Sequence, residues 1–145
     1  MEENDIIEKA YMQVKNDSES RAKRVHGLFF GLLRKPITEA TIYESIKKVE
    51  RITEAKPEEL RMIIQINAKC TYARQGLNEI VRDMPGAETL LKKLKREKLV
   101  KIKGNRIKEK EEFHIFAERL STTAGLLRKW YEAKEQASLC DCCAS

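Results

Sequence analysis

Aromatic residues make up only 6% of this chain, and 145 residues include just three prolines and six glycines. All-β architectures lean on aromatic and β-branched strands joined by Gly/Pro turns, so this scarcity argues against them and favours helices. Long apolar runs are missing as well. None approaches the roughly 20 residues needed to span a bilayer, so no membrane partner is expected. The start, Met1-Glu2-Glu3-Asn4-Asp5, is acidic and lacks the basic residues and apolar stretch of a secretory leader. The expected location is the cytoplasm.

Catalytic signatures are equally scarce. Neither G-x-x-x-x-G-K-[ST] nor G-x-G-x-x-G occurs, so no glycine loop is set to cradle phosphates. The two histidines, His26 and His114, each fall on an expected helix without a sequence neighbour for metal or triad work. A surface or core-edge role suffices for both. Glu58-Glu59 and Glu111-Glu112 sit at expected helix starts, where the dipole favours acids. No enzyme activity, catalytic residue, cofactor or metal is therefore expected. Four cysteines are present, with Cys140, Cys142 and Cys143 in the last six residues and Cys70 alone inside an expected helix. The tail reads either as soft metal ligands or intermolecular thiols, or as an incidental terminus.

What the chain does have is positive charge in one place. Lys92 to Lys110 holds ten Lys or Arg against two Glu, a local charge of +8 in a chain of +6. Such concentration attracts polyanions by neutralising phosphates and releasing counterions. A solvated helix face is the plain alternative.

Apolar spacing marks helix after helix. Asp5 can cap a first helix carrying Ile6, Ile7, Ala10, Tyr11 and Val14, and Asn16-Asp17-Ser18 is expected to break it. A second stripe runs through Ala22, Val25, Leu28, Phe29, Leu32 and Leu33 until Pro36 stops it. Thr38 caps the next helix, with Ile37 and Ile42 spaced as a hydrophobic staple and Ile42, Ile46, Val49 and Ile52 facing inward. Pro57 suits the first position of a helix expected to run from Glu58 to Arg82 and to end at Met84-Pro85-Gly86. A further helix begins near Ala87 with Leu90, Leu91 and Leu94 inward. Leu99 to Ile107 reads either as a β-hairpin turning at Gly104-Asn105 or as a helix end capped by Gly104. A final helix from Glu111 to Ala137 carries Phe113, Phe116, Ala117, Leu120, Ala124, Leu127, Trp130 and Tyr131. The spacing of its aromatics favours core packing over a base-stacking platform. The fold expected is all-α, a single compact bundle of five to six helices over residues 1–138, with a short hairpin near 99–107 as one reading. Residues 139–145 form a Cys-rich tail.

Two segments invite a nucleic-acid reading. In Asn67-Ala68-Lys69-Cys70-Thr71-Tyr72-Ala73-Arg74-Gln75-Gly76, a glycine expected inside a helix costs about 1 kcal/mol relative to alanine, which suggests close approach by another backbone or a ligand. Easier helix packing beside a solvated Arg74 is the alternative. Glu88 to Ile107 looks like the end of a winged-helix unit: a basic amphipathic helix, a turn and a hairpin wing. A complete unit also needs a short helix and tight turn upstream, and the expected helix to Arg82 is too long for that.

The order of segments also resembles the small helical subunit of type III-A CRISPR effector (Csm) complexes, over roughly residues 20 to 135. The resemblance rests on Ile37-Thr38-Glu39-Ala40-Thr41-Ile42, on Tyr72-Ala73-Arg74-Gln75-Gly76 after a long helix, and on Phe113-x-x-Phe116 leading to Arg128-Lys129-Trp130-Tyr131. The related type III-B small subunit stays open. It implies a non-catalytic bundle in an antiviral ribonucleoprotein, contacting the guide/target RNA duplex, other effector subunits and copies of itself. Arg74 matches the family arginine after the tyrosine, and Lys47 and Lys48 lie on the helix that faces RNA in the family. The expected nucleic-acid-binding residues are these three together with Lys69, Lys92, Lys93, Lys95, Arg96, Lys101, Lys103 and Arg106. A winged-helix DNA-binding regulator and a helical protein-interaction module, such as a viral regulator, an inhibitor or a coat-like subunit, are the alternatives.

Overall fold

The first helix, α1 (Glu3–Phe29), continues straight through Asn16-Asp17-Ser18, where the sequence predicts a break. Ile7, Ala10, Tyr11, Val14, Ser18 and Ala22 form one unbroken buried stripe, so packing overrides the poor helix propensity of the polar triplet. Ser18 lies within that stripe, 1% exposed. The computed structural model describes the backbone of residues 2–29 and 38–144 and the side chains of residues 2–24 and 38–138. The expected stripe from Val25 to Leu33, His26, the stop at Pro36, the Ile37 half of the staple and the side chains of Cys140, Cys142 and Cys143 lie outside the described residues.

Helix α2 (Glu39–Thr53) starts as expected. The Thr41 amide donates to the Thr38 hydroxyl (3.2 Å), and the Thr38 amide donates back to the Thr41 hydroxyl (2.8 Å), a reciprocal capping box. Helix α3 (Pro57–Thr71) opens on proline, but the single helix expected to reach Arg82 is two: α4 (Leu77–Asp83) follows a break. Buried positions lapse between Asn67 and Ile80, and Arg74 adopts φ 52° in the gap. Without a buried face over those residues, nothing holds the backbone helical.

Helix α5 (Ala87–Arg96) buries Ala87, Leu90, Leu91 and Leu94. The stretch after it is a hairpin, β1 (Val100–Lys103) paired antiparallel with β2 (Arg106–Glu109) in the register Lys103↔Arg106 and Lys101↔Lys108. Of the two turn residues only Gly104 has positive φ, at 58°, the pattern of a type II′ turn. The helix-end reading of Gly104 is therefore wrong, and Lys98 closes α5 instead.

Helix α6 (Glu111–Ala144) is the spine against which α1, α2 and α3 pack. Its Phe113 and Phe116 are fully buried, with Tyr11 edge-on to Phe116 at 6.3 Å between centroids. Arg119 ties α6 to α2 through a two-pronged bond to Glu39 (2.8 and 3.0 Å). Trp130 departs from the expected aromatic core, with 53% of its surface exposed. Among the described residues the architecture is thus six helices and one hairpin, an all-α bundle with a single β appendage. No described helix is long and apolar enough to cross a membrane.

Candidate nucleic-acid interface

Breaking the expected long helix supplies the parts that the winged-helix reading lacked. Helices α3 and α4, a tight turn, α5 and the hairpin now follow one another in that unit's order. The turn is Met84-Pro85-Gly86-Ala87, with the Ala87 amide donating to the Met84 carbonyl (3.1 Å) and Gly86 at φ 86°, ψ −11°. Proline first and a left-handed glycine second are what a type II turn demands.

The wing is fastened to this unit at its tip. Helix α4 begins at Gly76, which has no side chain to cap the helix. Asn105 substitutes from across the fold: its carbonyl accepts from the Leu77 amide and its side-chain Oδ1 from the Asn78 amide, both at 2.7 Å. A Cβ at position 76 would stand 2.7 Å from the Asn105 carbonyl oxygen and closer still to its side-chain amide. The close backbone approach inferred from Gly76 is real, although the glycine starts a helix instead of interrupting one.

Strand alternation then sorts the wing's charge. Val100, Ile102, Ile107 and Glu109 turn inward, while Lys101, Lys103, Arg106 and Lys108 line one exposed cleft between them. The register sets Lys103 opposite Arg106 and Lys101 opposite Lys108. Like charges directly across an antiparallel pair are destabilising, and among the described residues none of the four has an acidic partner. Lys108 was missed from sequence. The two-residue turn, which fixes the register, was the signal that identifies it.

On α5 the cations divide. Lys92 pairs with Glu88 (3.6 Å) and Lys93 with Glu59 (3.3 Å), whereas Lys95 and Arg96 are exposed and have no acidic partner among the described residues. Lys98 follows at φ 62°. There the Leu99 amide donates to the Leu94 carbonyl (2.9 Å) and the Lys98 amide to the Lys95 carbonyl (3.0 Å), a Schellman closure whose left-handed position ordinarily belongs to glycine. Lys98→Gly should raise stability by about 0.5–1 kcal/mol while weakening polyanion binding several-fold. Paired urea and binding titrations would check both signs.

Arg74 joins this surface: with Lys103, Asn105 and Arg106 it lines a cleft of about 710 Å³ between the α3–α4 loop and the wing tip. The other expected contacts do not. Lys47 is bound to Glu44 (2.9 Å), sits over the Tyr43 ring (5.0 Å) and lines a separate cleft with Lys15 and Glu50. Lys48 is its half-buried neighbour on α2, and Lys69 is half-buried in the last turn of α3.

Beneath the wing lies a polar cluster. The Glu109 side chain, 6% exposed, has its Oε1 3.9 Å from His114 Nδ1, and its Oε2 has no partner. The Asn67 amide donates to Glu118 (3.0 Å), which turns its carbonyl oxygen to His114 Nδ1 (2.7 Å) and assigns that nitrogen the proton. Tyr72 donates to the same Glu118 carboxylate (3.0 Å). Burial, reinforced by the Glu118 charge and opposed by the Thr71 hydroxyl, pushes the Glu109 carboxyl up to about 7. The folded chain alone holds this proton. Stability should therefore fall by on the order of 2–3 kcal/mol as pH rises from about 4.5 through 7, then level off. Glu3, Glu39 and Glu50 are held below the usual carboxylate range by hydrogen bonds from Arg128, Arg119 and Lys15, so their effect falls at lower pH. Urea midpoints at pH 5 and 8 should differ for the wild type and converge for Glu109→Gln.

Among the described residues no group of three His, Cys, Asp or Glu side chains converges to hold a metal ion. Compared with known proteins, the chain matches no family model, no curated protein and no solved structure.

Proposed function

We propose that the chain binds double-stranded DNA as a winged-helix protein, with α5 in the major groove and the hairpin on the flanking phosphates. The observation that supports this best is the row of cations that have no acidic partner among the described residues, Lys95, Arg96, Lys98, Lys101, Lys103, Arg106 and Lys108, running from the end of α5 through the hairpin that follows α4, the turn and α5. Phosphate contacts of this kind fix register and orientation but read no sequence. In that pose the base edges would meet Thr89, on the exposed side of α5.

The test is binding of the purified chain to duplex DNA, duplex RNA and single-stranded RNA of equal length across a salt series. Preference for duplex DNA with a steep salt slope is the expected result. Preference for duplex RNA would overturn it in favour of a ribonucleoprotein subunit of the CRISPR type, and weak binding to all three would favour a protein partner.

A further inference from the structure

The core contacts of α6 stop well before the helix does. Phe113, Phe116, Ala117, Leu120 and Ala124 are buried, and further along Arg128 pairs with Glu3 and Lys9 Nζ donates to the Tyr131 hydroxyl (3.1 Å). Every described side chain from Glu132 to Ser138 is exposed, yet the backbone stays helical to Ala144. Residues 132–144 make an extension of about 20 Å, and a helix of that length without a packed face is marginal in water.

An apolar stripe runs into this extension on the side of α6 away from the core. Leu126 is 63% and Trp130 53% exposed, and Ala133 and Ala137 are exposed beside them. Their four–three–four spacing is a heptad seam. We infer that a second copy of the chain covers it, the two α6 helices pairing antiparallel about a two-fold axis between Tyr131 and Glu132.

The seam is complementary to itself. About that axis Trp130 meets the partner's Ala133, and Leu126 meets the partner's Ala137, so each large side chain fills the space over a small one. Charge sets the orientation. A parallel pair would bring Lys129 against the partner's Lys134, whereas the antiparallel pair offers Lys129 the partner's Gln136 and Lys134 the partner's Leu127. Lys134 Nζ already lies 4.5 Å from the Trp130 ring centre, over the indole that the partner would cover. Two large and two small anchors per copy make a contact smaller than the standard specific interface, so weak, concentration-dependent pairing with dissociation in the micromolar range is expected. The pairing does not depend on what the wing binds.

Trp130 is the one tryptophan in the chain, so the seam carries its own reporter. Between about 1 and 100 µM its emission should shift to the blue while the sedimenting mass rises from 16.8 kDa towards twice that value. Ala133→Glu, an exposed substitution, should hold both readouts at their dilute values without loss of helicity. With Cys140, Cys142 and Cys143 replaced by Ser, an equimolar mix of Trp130→Cys and Ala133→Cys chains should crosslink on oxidation. A monomer at 100 µM, a dimer indifferent to Ala133→Glu, or Ala133→Cys chains crosslinking only to themselves would overturn the antiparallel pairing.

Discussion

Replacing Lys101, Lys103, Arg106 and Lys108 together by Gln should weaken duplex DNA binding by on the order of a hundredfold to a thousandfold at moderate salt. The slope of log K against log salt should become shallower by about 3.6, since each phosphate contact contributes about 0.9. The wing's geometry adds a second, opposite sign. Its outer face sets cation against cation in both cross-strand pairs, and each such pair costs a few tenths to 1 kcal/mol. The fourfold variant should therefore be more stable than wild type by about 0.5–1 kcal/mol while binding far less. Urea unfolding and the salt series, run on the same preparation, test the two signs together. Unchanged affinity would remove the wing from the interface, and a drop in stability would mean that the four side chains hold the fold.

Gly76→Ala should cost about 2–4 kcal/mol, an unusually large effect for one methyl group at a half-exposed position. Backbone strain is not the reason, because Gly76 has φ −92°, which any residue adopts. The reason is space. The new Cβ would lie 2.7 Å from the Asn105 carbonyl oxygen, and no rotamer change moves a backbone atom. The wing tip would have to lift, and both hydrogen bonds that start α4 would go with it. Overpacking alone costs about 1–3 kcal/mol, and losing a helix cap about 1 kcal/mol more. Faster exchange of the Leu77 and Asn78 amides, with a lowered urea midpoint, is the expected result. Because Gly76→Ala and Asn105→Ala break the same contact, the double variant should lose less than the sum of the two. A silent Gly76→Ala would show that the wing is not clamped.

Much of this fold was legible because local signals agreed with packing. The Thr38 cap, the proline opening of α3, the type II turn and the Gly104-Asn105 hairpin are each encoded within a few residues. What escaped was decided at a distance. Asn16-Asp17-Ser18 carries poor helix propensity, and the buried stripe from Ile7 through Ser18 to Ala22 keeps α1 whole. The new start at α4 is held by Asn105, almost thirty positions away, a partner that periodicity over residues 58–82 does not name. Trp130 has the helical spacing of a core residue but sits on the side of α6 away from the bundle, whereas the next residue, Tyr131, packs on the core and accepts a bond from Lys9 of α1. The candidate interface was legible as a charge run, and pairing geometry then separated Lys95, Arg96 and the wing from Lys92 and Lys93, which are already neutralised by Glu88 and Glu59.

Hairpin tips are ordinarily where a fold accepts new sequence, since little depends on them. This one is closed to that route. Its turn residue Asn105 also begins α4, so a loop lengthened by even one residue would displace the acceptor and unsettle the helix–turn–helix along with the wing. Diversification of this surface is confined to exchanging side chains at fixed length, and peptide tags or insertions meant to leave the interface intact belong elsewhere on the chain.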